Sequence, residues 1–395
     1  MEPKYIWNLK QKNEKLVDEL SEKYKLSTIM ATILANRNIV VEKDIVRFLN
    51  ADKDKFYDPY LMKDMGKAVK RIITAIDKNE KITIYGDYDV DGITSTSVLY
   101  MYLKENGAEV DYYIPNRLEE GYGVNDAAVK SIHQGGTKLI ITVDTGITAI
   151  SQVDLANSLG LDMVITDHHE CQESIPDAVA VIDPKREDCG YPFDMLAGVG
   201  VAFKVIHALS IKLGNIDSIW KYLDIVAVGT VADIVPLKDE NRIITKLAFK
   251  TMKDTWNVGL KALIKVSGNK KDDKITAGII GFRIAPRLNA AGRLGDAKRG
   301  IELFITEDKN KAADIAEKLN EENILRQQLE QEIFDEAVHI IEENIDMDNT
   351  KIIVAASSNW HHGVIGIVAS RITEKYYRPS ILLSIEDGVA TGSAR

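Results

Sequence analysis

Cysteine is scarce in this chain of 395 residues, which contains Cys171 and Cys189 alone. Two cysteines do not make a disulfide framework, and neither has the second CxxC or HxxxH pair of a structural zinc site. Long apolar runs are also missing, so no segment offers the roughly 20 apolar residues of a membrane span. The first fifteen residues lack the apolar core of a signal peptide. These absences predict free thiols and a cytoplasmic protein without membrane association.

Positive charge is in short supply overall, because the formal net charge is −10. Such a balance is unusual for a protein that binds nucleic acid. The segment 242–300 departs from this average, with fourteen Lys and Arg residues against four acids. A basic segment in an acidic chain suits a polyanion that is held on one side of the molecule. A solvated helix face is the alternative for its lysines.

Apolar runs rich in β-branched residues alternate with helical patterns from residue 81 onward. This alternation predicts a parallel sheet covered on both faces. The predicted strands lie at 81–85, 109–115, 138–143, 161–166 and 178–182. A helix is predicted behind the first strand at 94–105, and further helices at 219–236 and 242–266. The pattern is that of an α/β fold, with a helical leader at residues 1–60 ahead of the sheet.

Residues 307–346 are highly charged and carry apolar residues at helical spacing, from Ile315 to Ile341. One helix of this length would measure about 60 Å and would connect two domains. Two shorter helices with a break near Asn323 are the alternative. A second βα pattern follows, with strands at 351–357 and 379–384, a helix at 364–376 and a strand beginning at the last residues. A core-type strand in that position predicts that the sequence is truncated.

Acidic and imidazole side chains follow three of the predicted strands. They are Asp87, Asp89 and Asp91 after the first strand, Asp144 after the third, and Asp167, His168 and His169 after the fourth. Ligands of an open parallel sheet bind at the carboxyl ends of its strands, so these side chains are expected to meet. A lone Asp144 is better explained as a helix N-cap. The whole set exceeds what capping needs, and its members would repel one another unless cations neutralise them.

The ligand types favour Mn²⁺ or Mg²⁺ over zinc, because they are carboxylates and imidazoles without a thiolate. Two such ions about 4 Å apart are the usual arrangement for phosphoryl hydrolysis. A further acid, Asp233, is the only charge in the apolar run 226–237. It is expected to be another metal ligand, with a hydrogen bond at a helix end as the alternative.

Four motifs in order resemble the signature of the DHH phosphoesterase superfamily: GDYDVDG (86–92), VDTG (143–146), TDHHE (166–170) and GTVADIVPL (229–237). Three others resemble its RecJ branch: FYDPYLMKDM (56–65), GFRIAPRLNAAGRLGDA (281–297) and NWHHGVIGIVASRI (359–372). The resemblance covers nearly the whole chain. It implies a mainly parallel-sheet DHH catalytic domain at 61–306, a connecting helix at 307–346 and a smaller, partial α/β DHHA1-like domain at 347–395.

The resemblance also implies roles for individual residues. The metal ligands would be Asp89, Asp91, Asp144, His168 and Asp233, and the catalytic residues His169 and Asp87. Residues that bind the substrate would be Arg287, Asn289, Arg293, His361, His362, Gly363, Ser393 and Arg395. Arginines can fork onto a phosphate, and the N-terminus of the helix after His361 can bind an anion. Surface salt bridges are the alternative for Arg287 and Arg293.

The activity implied by the resemblance is a 5′→3′ exonuclease with two Mn²⁺ or Mg²⁺ ions. It would hydrolyse single-stranded DNA to 5′-mononucleotides in DNA repair and recombination. The expected partners are single-stranded DNA and a single-strand-binding protein or helicase, and the expected state is a monomer. Two alternatives stay open: a phosphodiesterase of short oligonucleotides or cyclic dinucleotides, and an inactive scaffold that binds a replication or repair partner. The basic segment argues against the first, and the filled motif positions against the second.

Overall fold

The computed structural model describes residues 6–10, 13–117, 120–268, 274–347 and 349–395. Four charged residues of the basic segment, Lys270, Lys271, Asp272 and Asp273, lie outside these ranges. In the described part of the chain, no helix combines the length and the apolar character that crossing a membrane requires.

Among the described residues, helices alternate with strands at 65–166 and again at 353–386, whereas the helices at 14–77 and 198–344 follow one another without a strand between them. The helices are α1 (Glu14–Tyr24), α2 (Thr28–Asn36), α3 (Glu42–Leu49), α4 (Met65–Asp77), α5 (Val90–Glu105), α6 (Asp126–Gln134), α7 (Ile150–Ser158), α8 (Gly198–Leu213), α9 (Leu223–Ala232), α10 (Asp239–Thr251), α11 (Val258–Val266), α12 (Ala277–Ile279), α13 (Ala285–Leu294), α14 (Lys298–Ile305), α15 (Lys309–Asn344) and α16 (His362–Tyr376). The strands are β1 (Ile82–Gly86), β2 (Val110–Tyr113), β3 (Leu139–Val143), β4 (Asp162–Thr166), β5 (Ala180–Ile182), β6 (Ile353–Ser357), β7 (Ser380–Glu386) and β8 (Val389–Ala394).

The first five strands form one parallel sheet in the order β2-β1-β3-β4-β5. Alternate residues of a strand point to opposite faces. Ile82 and Ile84 therefore join the core under α4, α5 and α8, whereas Tyr85 joins the core under α6 and α7. Every residue of β1 and β3 is buried, as expected for a sheet covered on both faces. The predicted α/β fold with a parallel sheet is confirmed.

The strand order reverses at β1, because β2 lies on one side of it and β3 on the other. Open sheets bind ligands in the crevice at such a switch point, outside the carboxyl ends of the strands. The acidic segments after β1, β3 and β4 therefore emerge side by side. The topology brings together residues that lie up to about 80 positions apart in the motifs.

Several predicted helix boundaries are wrong. The helix behind β1 begins at Val90 instead of 94, so Asp91 lies in its first turn. The helix predicted at 242–266 is divided, because α10 ends at Thr251 and α11 starts at Val258 after the Asn257 cap. The helix predicted at 219–236 is a 3₁₀ turn at Ile216–Tyr222 followed by α9. Local caps and turns, which apolar periodicity does not report, set these ends.

Helix α15 runs without a break from Lys309 to Asn344, so the alternative of two helices divided near Asn323 is wrong. Its first half adds Ala312, Ala316 and Leu319 to the core of the large sheet. Its second half adds Ile333, Ala337 and Ile341 to the core of a second sheet. In that sheet β7 pairs in parallel with β6 and antiparallel with β8. One helix therefore belongs to both cores and fixes the second sheet relative to the first.

Candidate metal centre and anion site

His168, which follows β4, lies among carboxylates from three other elements. Its Nε2 is 3.0 Å from Asp144 Oδ1 and 3.7 Å from Asp91 Oδ2. Its Nδ1 is 3.7 Å from Oδ2 of Asp233, the C-cap residue that follows α9. Asp91, Asp144 and His168 are all buried. The buried imidazole thus has acids at both of its nitrogens.

Seven side chains form three overlapping groups whose potential ligand atoms lie within 4.8 Å of one another in each group. The groups are Asp144, His168 and His169; Asp91, His168 and Asp233; and Asp87, Asp89 and Asp144. We call the five acids and His168 the carboxylate cluster. Two groups share His168 and two share Asp144. Such sharing suits neighbouring cations with common ligands, and the structure brings together every residue predicted as a metal ligand or catalytic residue.

The carboxylate cluster is electrostatically unfavourable without cations. Burial, followed by the charge of a neighbouring carboxylate, raises the pKa of Asp87, Asp91 and Asp233 to about 7. The same two causes raise the pKa of Asp144 well above its usual range. Asp87 Oδ1 is buried and has no hydrogen-bond partner in the described part of the chain. Divalent cations would relieve the repulsion and occupy the free lone pairs, so the residues fit a metal site.

The Asp91 carboxylate is held by the first turn of α8. The backbone N–H groups of Gly198 and Val199 donate to its two oxygens at 2.6 and 2.8 Å. The positive end of a helix dipole stabilises a carboxylate there. A Cβ on Gly198 would lie 2.7 Å from Cβ of Asp144, so only glycine lets the helix approach this closely. The sequence prediction missed this support, and its only signal is the Gly-Val-Gly start of an apolar helix.

Helix capping explains Asp89 but not Asp144. Asp89 Oδ1 accepts from the N–H groups of Asp91 and Gly92 at 2.8 and 3.1 Å, and so caps α5. The cap position of α7 belongs to Ala149, so the capping alternative for Asp144 is wrong. Asp144 instead has a φ of 59°, in the left-handed region that non-glycine residues adopt infrequently. Strain of this kind concentrates at functional sites.

The two histidines of the DHH motif have different surroundings. Burial lowers the pKa of His168, which keeps its imidazole neutral and able to bind a cation. The hydrogen bond to Asp167 raises the pKa of His169, since Nδ1 lies 2.7 Å from Asp167 Oδ1. Asp167 is fixed in turn by the backbone N–H groups of Ile147 and His168. His169 is therefore oriented and more cationic than its neighbour, and Asp167 is a positioning residue that the sequence prediction did not assign.

A cavity of about 310 Å³ lies beside the carboxylate cluster. Its lining includes Asn289 and Arg293 from α13, two of the residues predicted to bind substrate, together with Asp87 and Asp89. It also includes Tyr88, Arg117 and Tyr122, which were not predicted. In the sequence, Arg117 is marked only by the Asn-Arg pair after β2, and Tyr122 only by the Gly-Tyr-Gly segment that follows it. Arginine and tyrosine side chains next to the acids give the cavity the donors that a phosphate needs.

Arg293 links this cavity to the start of α16. Its Nη1 donates to the Gly363 carbonyl at 3.1 Å, and burial together with the charge of Arg117 lowers its pKa to about 10. His361 Nδ1 accepts from the Gly363 N–H at 3.1 Å and caps the helix, with the His362 ring stacked on its own. A cationic side chain therefore lies against a capped helix N-terminus.

Ser393 and Arg395 lie beside the second turn of α16. A Cβ on Gly366 would lie 3.1 Å from Ser393 Oγ and 3.3 Å from Arg395 Nη2. We call His361, His362, Gly363, Ser393 and Arg395 the α16 region. The structure thus brings together, around one helix start, five of the residues predicted to bind substrate.

Arg287 differs from the other predicted residues. Its Nε donates to Asn320 Oδ1 at 3.0 Å, its Nη2 to the Val266 carbonyl at 3.4 Å, and its Nη1 to the Arg283 carbonyl. It does not line the cavity beside the carboxylate cluster. Its guanidinium ties α13 to α11 and α15, so the structure shows a packing role for Arg287, and its contact with a phosphate stays a prediction.

Acids and a histidine pair thus follow neighbouring strands of one parallel sheet, and a family model matches this part of the chain. The family described as "DHH family, N-terminal domain" matches residues 81–230. The single-stranded-DNA-specific exonuclease RecJ of Bacillus subtilis is 44% identical over 99% of this chain and 49% of its own length. That of Escherichia coli is 38% identical over 83% of this chain and 59% of its own length.

Solved structures give the same result. A crystal structure of exonuclease RecJ bound to manganese is 34% identical, with a TM-score of 0.74, and the match covers 82% of this chain and 83% of that one. RecJ of Thermus thermophilus with Mn²⁺ is 29% identical with a TM-score of 0.79, over 94% of this chain and 52% of that one. The chain belongs to the RecJ family of DHH proteins, as the motifs predicted. It spans about half to three fifths of the length of the curated relatives named above.

Proposed function

We propose that this chain hydrolyses single-stranded DNA from the 5′ end and releases 5′-mononucleotides, using two divalent cations. The observation that carries the proposal is His168, surrounded by Asp91, Asp144 and Asp233 beside a cavity that contains Arg293. The relatives named single-stranded-DNA-specific exonucleases support it. We infer the activity for the chain itself, although those relatives are longer.

The cations would be Mn²⁺ or Mg²⁺, both of which have been observed in RecJ crystal structures. Asp89, Asp91, Asp144, His168 and Asp233 would hold them, with Asp87 as an adjoining acid. Bound cations of this type supply an activated water and neutralise charge on the phosphate. The neutral imidazole of His168 suits a ligand, because a protonated ring has no free lone pair.

The other residues of the site would bind and orient the strand. His169 is held by Asp167 and offers its second ring nitrogen to a phosphate oxygen or to the leaving oxygen. Arg117 and Arg293 would bind the phosphate in the cavity. Asn289 would donate from the same wall. These are all groups that either carry positive charge or donate hydrogen bonds.

The polarity of cleavage would follow from the α16 region. A 5′-terminal phosphate carries more charge than a diester, and a helix N-terminus next to Arg395 and Ser393 favours the more charged anion. Arg293 joins that region to the cavity beside the acids. A terminal phosphate bound at α16 would leave a following diester at the carboxylate cluster.

The remaining parts of the proposal come from the sequence. We infer a catalytic domain at 61–306, a connecting helix at 307–346 and a DHHA1-like part at 347–395. A single-strand-binding protein or helicase as partner, a monomeric state and a cytoplasmic location also stay predictions.

The test is an exonuclease assay of the purified chain with Mn²⁺. Oligonucleotides labelled at the 5′ or the 3′ end should show mononucleotide release from the phosphorylated 5′ end of a single strand, and EDTA should abolish it. A blunt duplex should react far more slowly. Equal rates on duplex and single strand would contradict the proposal. Faster hydrolysis of a dinucleotide than of a long strand would favour a small-substrate phosphodiesterase instead.

A further inference from the structure

A second cavity, of about 380 Å³, lies between the helical leader and α10. The leader contributes Arg37, Arg47 and Phe48, and the main domain contributes Phe193, Lys238 and Arg242. No residue of this cavity lines the one beside the carboxylate cluster. None of its residues belongs to the motifs that carry the proposed function. Its contents therefore need a separate explanation.

The cavity contains more positive charge than its own acids neutralise. Asp239 pairs with Arg47 at 3.0 Å and also accepts from the Tyr57 hydroxyl at 3.0 Å. The other acid in the lining is Asp44. Within the ranges that the structure describes, Arg37, Lys238 and Arg242 have no ion-pair partner. Once Arg47 and Asp239 are counted as a pair, three cationic side chains and one acid, Asp44, remain in the lining. This surplus of positive charge favours an anionic ligand.

Arg242 is the most firmly placed of these cations. Its guanidinium carbon lies 3.6 Å from the centre of the Phe48 ring, and its Nε donates to the Phe48 carbonyl at 2.9 Å. Its orientation is therefore fixed while its two terminal nitrogens can still donate. A planar guanidinium held in this way forks onto two oxygens of one phosphate. Burial and the charge of Arg37 lower the pKa of Arg242, a cost that a bound anion would remove.

Apart from Asn38, the remaining lining residues are apolar. Phe48, Phe193 and Ile39 give the cavity an aromatic and aliphatic surface beside the donors. A free phosphate ion would leave this surface unused, whereas a heterocyclic base can pack on it. The volume is within the range of about 300 to 1,000 Å³ that small-molecule sites occupy. A cavity of this size accommodates one nucleotide.

We propose that this cavity is a non-catalytic site for a nucleoside monophosphate. Arg242, Arg37 and Lys238 bind the phosphate, and the base lies against Phe48 and Phe193. Since Arg37 belongs to the leader and Arg242 to α10, a bound nucleotide bridges the two. The leader has a small core of its own around Leu34, so binding stabilises its attachment to the main domain.

The experiment measures binding of deoxyadenosine monophosphate by isothermal titration calorimetry. EDTA is present throughout, so that binding at the carboxylate cluster does not contribute. The proposal predicts a saturable site that remains in Arg293→Gln, which removes a donor of the other cavity, and a rise in melting temperature with added nucleotide. Deoxyadenosine and inorganic phosphate, titrated separately, should each bind at least tenfold more weakly. Equal binding of inorganic phosphate and nucleotide would show an anion patch and overturn the proposal.

Variants locate the site. Arg242→Gln and Arg37→Gln should each weaken the affinity at least tenfold, because each removes a charged donor to phosphate. Lys250→Gln is the matched control, since Lys250 is exposed on the same helix and lies outside the cavity. Arg37 is exposed and its loss should leave the fold intact, so it keeps the test valid if Arg242→Gln detaches the leader. Unchanged affinity in Arg37→Gln, or an equal loss in the control, would overturn the proposal.

A longer ligand is tested in the same samples. If a 15-nucleotide single strand binds in EDTA with an affinity that depends on Arg37, while the monophosphate does not bind, the cavity contacts DNA and the proposal is wrong. Failure here leaves the proposed nuclease activity untouched, because that activity is measured with Mn²⁺ and depends on residues of the other cavity.

Discussion

The carboxylate cluster and the α16 region differ in the charge of their side chains and in how deeply those side chains are buried. The cluster lies at the carboxyl ends of a central parallel sheet, where its acids are held too close together to ionise freely. The α16 region lies on a three-stranded sheet and gathers donors around a helix N-terminus, with Ser393 half-buried and Arg395 exposed. The first gathers acids that repel one another, and the second gathers donors that suit an anion.

Under the proposed function, this difference would let one chain hold a terminal phosphate at one region and cleave the next bond at the other. A site for metal ions needs a rigid, buried frame, because ligands that repel one another must be kept in place. A site for a terminal phosphate needs access from solvent and a surplus of donors. Arg293 touches both regions, through the cavity beside Asp87 and through the Gly363 carbonyl.

The largest expected effect comes from breaking the cluster with Asp144→Asn. The activity should fall by roughly 10³-fold, because a lost ligand costs several kcal/mol of charge stabilisation in the transition state. The melting temperature in EDTA should not fall, since the substitution removes a buried like charge. Nuclease assays and thermal unfolding measure both results. Asp154→Asn, an exposed acid on α7, is the control and should change neither.

The next comparison is between Arg293→Gln and Arg287→Gln. Loss of Arg293 should raise KM for a 5′-phosphorylated strand about 10- to 100-fold, as expected for a charged hydrogen bond. Loss of Arg287 should leave KM nearly unchanged and lower the free energy of unfolding by about 1–2 kcal/mol, because three backbone or side-chain acceptors lose a partner. Steady-state kinetics and urea unfolding separate the two. The reverse pattern would return Arg287 to the substrate site.

A smaller effect is expected from Asp167→Asn, which tests positioning inside the cluster. The substitution should lower kcat about 10-fold to 100-fold while KM changes little, since such orienting partners contribute that much. The pH dependence of kcat should also shift, because Asp167 raises the pKa of His169 through its hydrogen bond. A purely structural role would lower the melting temperature and leave the pH profile in place.

The smallest effect is the pH dependence of stability without metal. Asp87, Asp91 and Asp233 have their pKa raised to about 7 in the folded chain. A carboxyl group whose pKa is raised in the folded chain stabilises the fold fully at pH values below its unfolded pKa, near 3.8. This contribution is lost as the pH rises through the folded pKa of about 7. The gap between melting temperatures with Mn²⁺ and with EDTA should therefore widen from pH 5 to pH 8. A constant gap would be inconsistent with buried, mutually repelling acids, and Asp233→Asn should narrow it.

Much of the site could be predicted because its residues follow strands whose apolar periodicity is local. Each acid of the cluster comes directly after a strand or within a conspicuous apolar run, and parallel strands end at one edge of a sheet. The nature of the cation followed from ligand chemistry. The sequence identified the two histidines but did not show which is the buried ligand and which the oriented donor. That difference depends on their tertiary contacts, since His168 lies against Asp144 and His169 against Asp167.

The sequence by itself determined the α/β class, the succession of strands and the chemistry at their ends, since these depend on neighbours in the chain. Only the tertiary structure decided which distant groups meet. The N–H groups that hold Asp91 lie 107 and 108 positions away from it. The same packing gave Arg287 partners on α11 and α15, placed Arg117 and Tyr122 in the cavity beside the carboxylate cluster, and brought Arg37 near Arg242. Periodicity and composition describe what a segment prefers, whereas contacts between segments depend on how the cores pack.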